Sequence, residues 1–411
     1  MKRKISATAI CLTLFLTVPA GLWADGGLGP WNHSRNPAFF TFGTREYVEL
    51  GMSVKTGIGN SALGLADMFS RVVVIDLDEL YADTPDDGLR IGAAAAAELH
   101  IALQFGKLGL GFYTDTYDLS RIVIPRSFIG LLTQGNEPDQ SYSGSSEILQ
   151  RAFAQAGAVA SYQLGGFVIA GKFGAFSPLL YSDDNAQAGF TLETATDGTI
   201  RGEVFAAGDI YTAIGEGQVQ GLGFNLSLGV VRPDEEGKPL YGGGLNNIPI
   251  AAARPGYVVK VEQLRYEFEA TDLLDRLESG GDPFTTASQI GEVETIPLDA
   301  SEQPKIHMPF SVSGFYRLAI PVIDLVPDAE VVFDDPIRLN AGIMVEGNIF
   351  PVNLFSIGFG RRDYLWYGSA GLRVPLRVFE LAFQIASVGT EPLGIFDFSG
   401  LGAKLSLALG Y

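Results

Sequence analysis

Cysteine is nearly absent from this chain. The single residue, Cys11, lies inside an apolar N-terminal stretch and not at its end. A lipid anchor would need a cysteine at a cleavage site, and the chain beyond that stretch has no thiol for a disulfide or a thiolate ligand. Long apolar runs are absent too. No later stretch reaches 18 apolar residues, so no transmembrane helix is expected. Basic residues are scarce. Without Lys2, Arg3 and Lys4 there are 25 basic against 47 acidic residues, a net charge of −22, which speaks against nucleic acid as a partner. The excess is read as acidic loops and turns. Catalytic signatures are missing as well: there is no HExxH, no Walker A loop and no GxSxG. The pattern Gly106-x-x-Gly109-x-Gly111 sits within strand-like alternation and does not open a helix after a strand. The three histidines, His33, His100 and His307, are far apart, and each reads as a lumenal or interfacial side chain. The run Asp76, Asp78, Glu79, Asp83, Asp86 and Asp87 lacks EF-hand spacing and reads as a solvated acidic face. Neither enzyme chemistry, nor a cofactor, nor a metal site is expected.

What is present begins with an export signal. Lys2, Arg3 and Lys4 precede a short apolar region from Ile10 to Val18, and Ala24 is a cleavage residue, with Ala20 as the alternative. The mature chain is apolar for an exported protein: 47% of all residues are hydrophobic, 18% are charged, and mean hydropathy is +0.20. Strands with apolar residues on alternate positions reconcile high apolar content with the lack of apolar runs. The C-terminus shows the pattern clearly. Ala403, Leu405, Leu407, Leu409 and Tyr411 alternate with Lys404, Ser406, Ala408 and Gly410. Successive side chains of a strand point to opposite faces, so one face is apolar and the other small or polar. The physical reading is the closing strand of an all-β, transmembrane antiparallel β-barrel, with Leu405, Leu407, Leu409 and Tyr411 facing lipid. The terminal aromatic resembles the signal read by the outer-membrane barrel-assembly machinery.

Similar alternation marks Tyr47–Thr56, Leu99–Phe105, Leu108–Phe112 and Gln218–Val231. Further strands are expected at Arg151–Leu164 and Phe167–Phe176 around Gly165-Gly166, at Ala186–Thr194 and Thr199–Ala207 around Asp197-Gly198, and at Leu240–Leu245 and Tyr257–Glu269. More follow from His307 to the end. Short helices are expected at Ser61–Phe69, Asp76–Tyr81 and Ser127–Leu132. Ile124–Leu149 and Thr271–Lys305 read as long loops, the second opening with a helix over Thr271–Glu278. Even strand numbers are the rule in bacterial barrels. About fourteen strands are expected, with twelve or sixteen as alternatives. Residues 25–411 form one domain: a plug over 25–45 and a barrel over about 46–411.

Asn36-Pro37-Ala38, just before the first strand, resembles the Asn-Pro-Ala motif of FadL-type outer-membrane transporters of long-chain fatty acids and other hydrophobic compounds. Asn60-Ser61-Ala62-Leu63-Gly64-Leu65-Ala66-Asp67-Met68-Phe69 and Asn246-Asn247-Ile248-Pro249-Ile250 are similar to a FadL-like family of spirochaetes. The resemblance implies a 14-stranded outer-membrane barrel plugged by its N-terminal hatch, with ligands leaving sideways through the wall. It implies that Asn36, Pro37 and Ala38 fix the hatch's turn in the lumen, and that Phe39, Phe40 and Phe42 line a ligand path. The implied partners are the outer-membrane bilayer and a hydrophobic small molecule captured by diffusion into a dry pocket. No basic residue stands out as the partner of a fatty-acid carboxylate. A non-transporting scaffold for attachment or assembly is the alternative, motivated by the two long loops. A water-filled porin fits an apolar plug less well.

Overall fold

The computed structural model describes residues 33–42, 47–62, 77–134, 139–182, 186–197, 199–215, 218–270, 286–347, 354–376, 378–396 and 398–410. The export signal, residues 25–32 of the expected plug, the helices expected over Ser61–Phe69 (beyond residue 62) and Thr271–Glu278, and Tyr411 lie outside them.

The strands are β1 (Val48–Asn60), β2 (Leu89–Phe105), β3 (Leu108–Ile124), β4 (Gln140–Leu164), β5 (Phe167–Ser182), β6 (Gln187–Thr194) and β7 (Ile200–Thr212). Then come the two-residue β8 (Ile214–Gly215) and β9 (Gln218–Val219), followed by β10 (Gly223–Pro233), β11 (Pro239–Ala251), β12 (Tyr257–Ala270) and β13 (Thr286–Pro297). The last are β14 (Phe310–Tyr316), β15 (Leu318–Ile320), β16 (Ile323–Phe333), β17 (Arg338–Gly347), β18 (Leu354–Arg362), β19 (Leu365–Pro375), β20 (Phe379–Gly389) and β21 (Gly400–Gly410). Among the described residues two α-helices, α1 (Leu77–Asp83) and α2 (Arg126–Gln134), pack on each other through Leu80, Ile129 and neighbours.

All ladders are antiparallel, and they close on themselves. From β1 the hydrogen bonds pass to β2, β3, β4, β5, β10, β11 and β14. β15 continues the line of β14, and both pair with β16. The ladder then runs through β17, β18, β19, β20 and β21 and returns to β1. Closure leaves no open edge in the ring, which is what a sheet in hydrocarbon requires.

The ring is apolar outside and polar inside. On β1, Val48, Leu50, Met52 and Val54 are exposed, while Glu49, Gly51, Ser53 and Lys55 are buried. On β21, Leu405 and Leu409 are exposed, Leu407 is half-buried, and Ser406 is fully buried against Ser53, the hydroxyl oxygens 3.0 Å apart. This inverts the usual soluble pattern and suits a bilayer outside and a polar lumen. One end carries short turns. At Gly165-Gly166, both with positive φ, the chain reverses between Leu164 and Phe167, the geometry that tight hairpins favour. The opposite end carries the long connections.

Four expected strands or loops differ. β2 begins at Leu89, ten residues before the alternation at Leu99. The Ala93–Ala97 stretch has no polarity contrast, but it pairs residue for residue with β1 and β3. The expected loop at Ile124–Leu149 holds the helix expected over Ser127–Leu132, as α2, but from Gln140 it is the first part of β4. The serine-rich stretch from Gln140 has no apolar period and is held by pairing with β6. Part of the expected loop at Thr271–Lys305 is β13, paired to β12. Finally, β6, β7, β12 and β13 stand outside the ring. They extend in series from Gln140–Glu147 of β4 as a side sheet at the long-connection end.

Candidate functional site

The chain before β1 lies inside the ring. Asn36 is extended, with φ −149°, as a residue before proline tends to be. Its Oδ1 accepts from the Ala38 N–H at 3.0 Å and so caps the 3-10 helix Pro37–Thr41. Its Nδ2 donates to the Val230 carbonyl of β10 at 3.2 Å. Gly229 beside it is small for a reason: a Cβ there would stand 2.0 Å from Asn36 Oδ1. The Arg35 carbonyl accepts from Asn246 Nδ2 and from Ser313 Oγ, each at 2.6 Å. This segment, part of the expected plug, is thus tied to β10 by the Asn36 amide and to β11 and β14 through the Arg35 carbonyl.

Asn246 and Asn247 were expected to end a strand. They form a bulge within β11 instead. Leu226 faces Ile248 and Leu228 faces Leu245, so β11 carries one extra residue there, and Asn247 adopts φ 55°. The bulge aims both amides inward. Asn246 holds the plug, and Asn247 Nδ2 donates to the Pro309 carbonyl at 3.0 Å.

Phe39, Phe40 and Phe42 pack against the barrel wall. Phe39 and Phe42 pack on Val168, Ala170, Val231 and Phe315, with the Phe39 and Phe315 rings 4.9 Å apart. Phe40 packs on Ala102, Tyr113 and Val159. A Cβ on Gly111 would come within 2.1 Å of its ring. These contacts lie near the short-turn end, and burial of the rings there fastens the plug to the wall.

The cavity lies on the other side of the plug, towards the long connections, and encloses about 160 Å³. Among the described residues five cations face it: Arg35 from the segment before β1, Lys55 from β1, Lys172 from β5, Arg338 from β17 and Arg362 from β18. Each sits among carboxylates or polar partners. Arg35 reaches Asp328 at 2.5 Å and Glu330 at 3.8 Å, and Arg362 shares Asp328 at 3.4 Å. Glu330 also accepts from Ser311 Oγ at 2.7 Å and Asn340 Nδ2 at 3.1 Å. Arg338 pairs with Asp363 and Asp334 and donates to the Tyr117 hydroxyl at 3.2 Å. Lys172 pairs with Asp115 at 3.1 Å and sits 3.9 Å from the centre of the Tyr113 ring. Ala96, Ala97, Met308 and Val332 add apolar wall. Where a dry pocket is expected, this cavity is lined by charge as well as apolar wall: inward positions of a barrel carry the polar parity of each strand, and here that parity carries the charge. The cation that sequence reading did not identify is present several times over. Its signal was legible, since Lys55 and Lys172 stand opposite the apolar parity of their strands.

Two distant histidines also meet here. His33 of the plug and His100 of β2 lie with ring centres 5.7 Å apart, both around Glu98, while His307 is exposed and apart.

No family model matches the chain, and no curated protein matches it. Among solved structures it is similar to the CymD monoaromatic hydrocarbon channel, at 11% identity over 93% of both chains and a TM-score of 0.45. It is also similar to the Ralstonia pickettii toluene transporter TbuX, at 11% identity over 96% of this chain and 97% of that one, with a TM-score of 0.47. A TodX monoaromatic hydrocarbon channel deltaS2 mutant matches at 11% identity over 93% and 94%, also with a TM-score of 0.47. The closed ring itself is set by the antiparallel ladders.

Proposed function

We propose that the chain is a fourteen-stranded outer-membrane channel of the FadL-like kind that takes up hydrophobic small molecules with an anionic head, long-chain fatty acids among them, by diffusion. Support for the strand number is the ladder that leaves β1 and returns to it, with β14 and β15 counted as one strand. Residues 1–24 act as the cleaved signal, residues 25–45 as the plug, and β21 as the segment read by the barrel-assembly machinery. The observation that carries the reading is the cavity above the plug, where Arg35 and Arg362 share Asp328. An incoming carboxylate can exchange with Asp328 on the guanidinium forks, which match carboxylate geometry. Met308, Val332 and the alanines would take the first part of an apolar tail. The test compares uptake of labelled fatty acid by cells with and without the protein. Equal uptake removes the reading.

The side sheet favours a second reading, a surface scaffold. It extends beyond the ring, and a channel has no physical need for it. Deleting residues 187–212 and 257–297 would abolish partner capture by a scaffold and leave uptake by a channel.

A further inference from the structure

His33, Glu98 and His100 form a group that neither the ring nor the cavity requires. Glu98 and His100 are two residues apart on β2 and point to the same inward face. His33 comes from the plug and is completely buried. The side chains converge on one point: His33 Nε2 lies 2.9 Å and His100 Nδ1 3.2 Å from Glu98 Oε1. The donor atoms of all three lie within 4.8 Å of one another.

His33 Nε2 lies within ion-pair distance of Glu98 but off the line of a well-formed hydrogen bond, and His33 Nδ1 has no hydrogen-bond partner among the described residues. A buried imidazole left this way is costly. Two ligands of one metal show the same geometry. With bonds of about 2.0–2.1 Å at a tetrahedral angle, ligand atoms stand roughly 3.3 Å apart and aim at the ion, not at each other.

The surroundings complete the pattern. The other nitrogen of His100, Nε2, lies 3.3 Å from Glu49 Oε1 on β1. A carboxylate behind a histidine fixes its tautomer and raises its basicity as a ligand. Gly51, directly across from His100 on β1, leaves the ring its space, since a Cβ there would meet His100 Cε1 at 2.3 Å. Two buried carboxylates beside two imidazoles also call for positive charge. Nitrogen donors exclude calcium and magnesium as good fits and suit zinc or a similar transition ion.

We propose that His33 Nε2, Glu98 Oε1 and His100 Nδ1 bind one divalent transition metal ion of the zinc class, with Glu49 orienting His100, and that the ion latches the plug to the wall. The proposal does not depend on what the channel carries.

The test uses the full mature chain without an affinity tag, folded in detergent, stripped with EDTA and desalted. Calorimetry with Zn²⁺ and the visible ligand-field spectrum with Co²⁺ are read on wild type and variants. One ion per chain with a tetrahedral Co²⁺ spectrum is expected. His33→Ala and Glu98→Gln weaken binding about tenfold or more, while His307→Ala leaves it unchanged. Zn²⁺ also slows protease cleavage of the plug in wild type and has no such effect in His33→Ala. Should His33→Ala fail to give a heat-modifiable barrel, His33→Gln keeps the ring's volume and answers the same question. Absence of stoichiometric binding by wild type, or binding by the folded His33 variant within twofold of wild type, overturns the proposal.

Discussion

β1 and β12 are of similar length, and both alternate, yet one closes the ring and the other stands outside it. The outward parity of β1 is Val48, Leu50, Met52 and Val54, with no charge, and its inward parity holds Glu49 and Lys55. On β12 the bulge between Glu262 and Arg265 resets the alternation: Lys260, Arg265, Glu267 and Glu269 stand opposite Glu294, Ile290, Ser288 and Thr286 of β13, all on one face, while Val259, Val261, Tyr266 and Phe268 share the other. Across the side sheet Arg265 pairs with Glu203 at 3.4 Å and Arg201 with Glu269 at 3.1 Å. Both strands thus offer one uncharged face, and pairing separates them: β1 bonds to β2 and β21 within the closed ring, β12 to β7 and β13 outside it. Alternation alone finds strands, and pairing decides which of them belong to the ring.

The strongest way to break that comparison is to place the same charge in both regions. Leu405 is outward and 52% exposed, flanked by Val54 and Phe383. Leu405→Arg should cost about 2–4 kcal/mol and impair assembly. Val204→Arg on β7, 47% exposed, should stay within about 0.5 kcal/mol. Urea titrations of the folded barrel, read on heat-modifiability gels, measure both. Equal losses would mean that the side sheet also meets lipid.

A smaller effect is expected inside the ring. Arg35→Ala leaves Asp328 and Glu330 without their plug cation, at a cost of about 1–3 kcal/mol. Single-channel conductance should rise and shift towards cation selectivity, because uncompensated carboxylates then line the cavity. Unchanged selectivity would remove Arg35 from the conducting path.

The plug turn comes next. Asn36→Ala with Pro37→Gly loses the cap and the bond to Val230, about 0.5–2 kcal/mol locally. The barrel should still assemble, since its ladders are independent of the plug. Conductance and protease access near the plug should both rise; if neither moves, the turn does not hold the plug.

The least effect is expected in the side sheet. Arg265→Ala breaks an exposed pair, worth under about 1 kcal/mol and less at high salt. A larger loss in a double-mutant cycle with Glu203→Ala would show that the sheet shields this pair from water.

The sequence by itself determined the class of fold, the faces of the closing strand and the Asn36-Pro37 turn, because a period of two and the restraint of proline are local properties. The apolar residues at Leu405 and Leu409 needed no neighbour to declare their face. It missed strands where pairing, not pattern, holds the chain: the Ala93–Ala97 stretch, Gln140–Glu147 and β13. It also placed Phe39, Phe40 and Phe42 on a ligand path but could not name their partners, Phe315 for Phe39 and Tyr113 for Phe40. Only the tertiary structure decided that, and only it gathered Arg35, Asp328 and Arg362, or His33, Glu98 and His100, into groups. Residues hundreds of positions apart meet only because the ring closes at a particular register and the plug enters it, and register is fixed by the whole ladder rather than by any one strand.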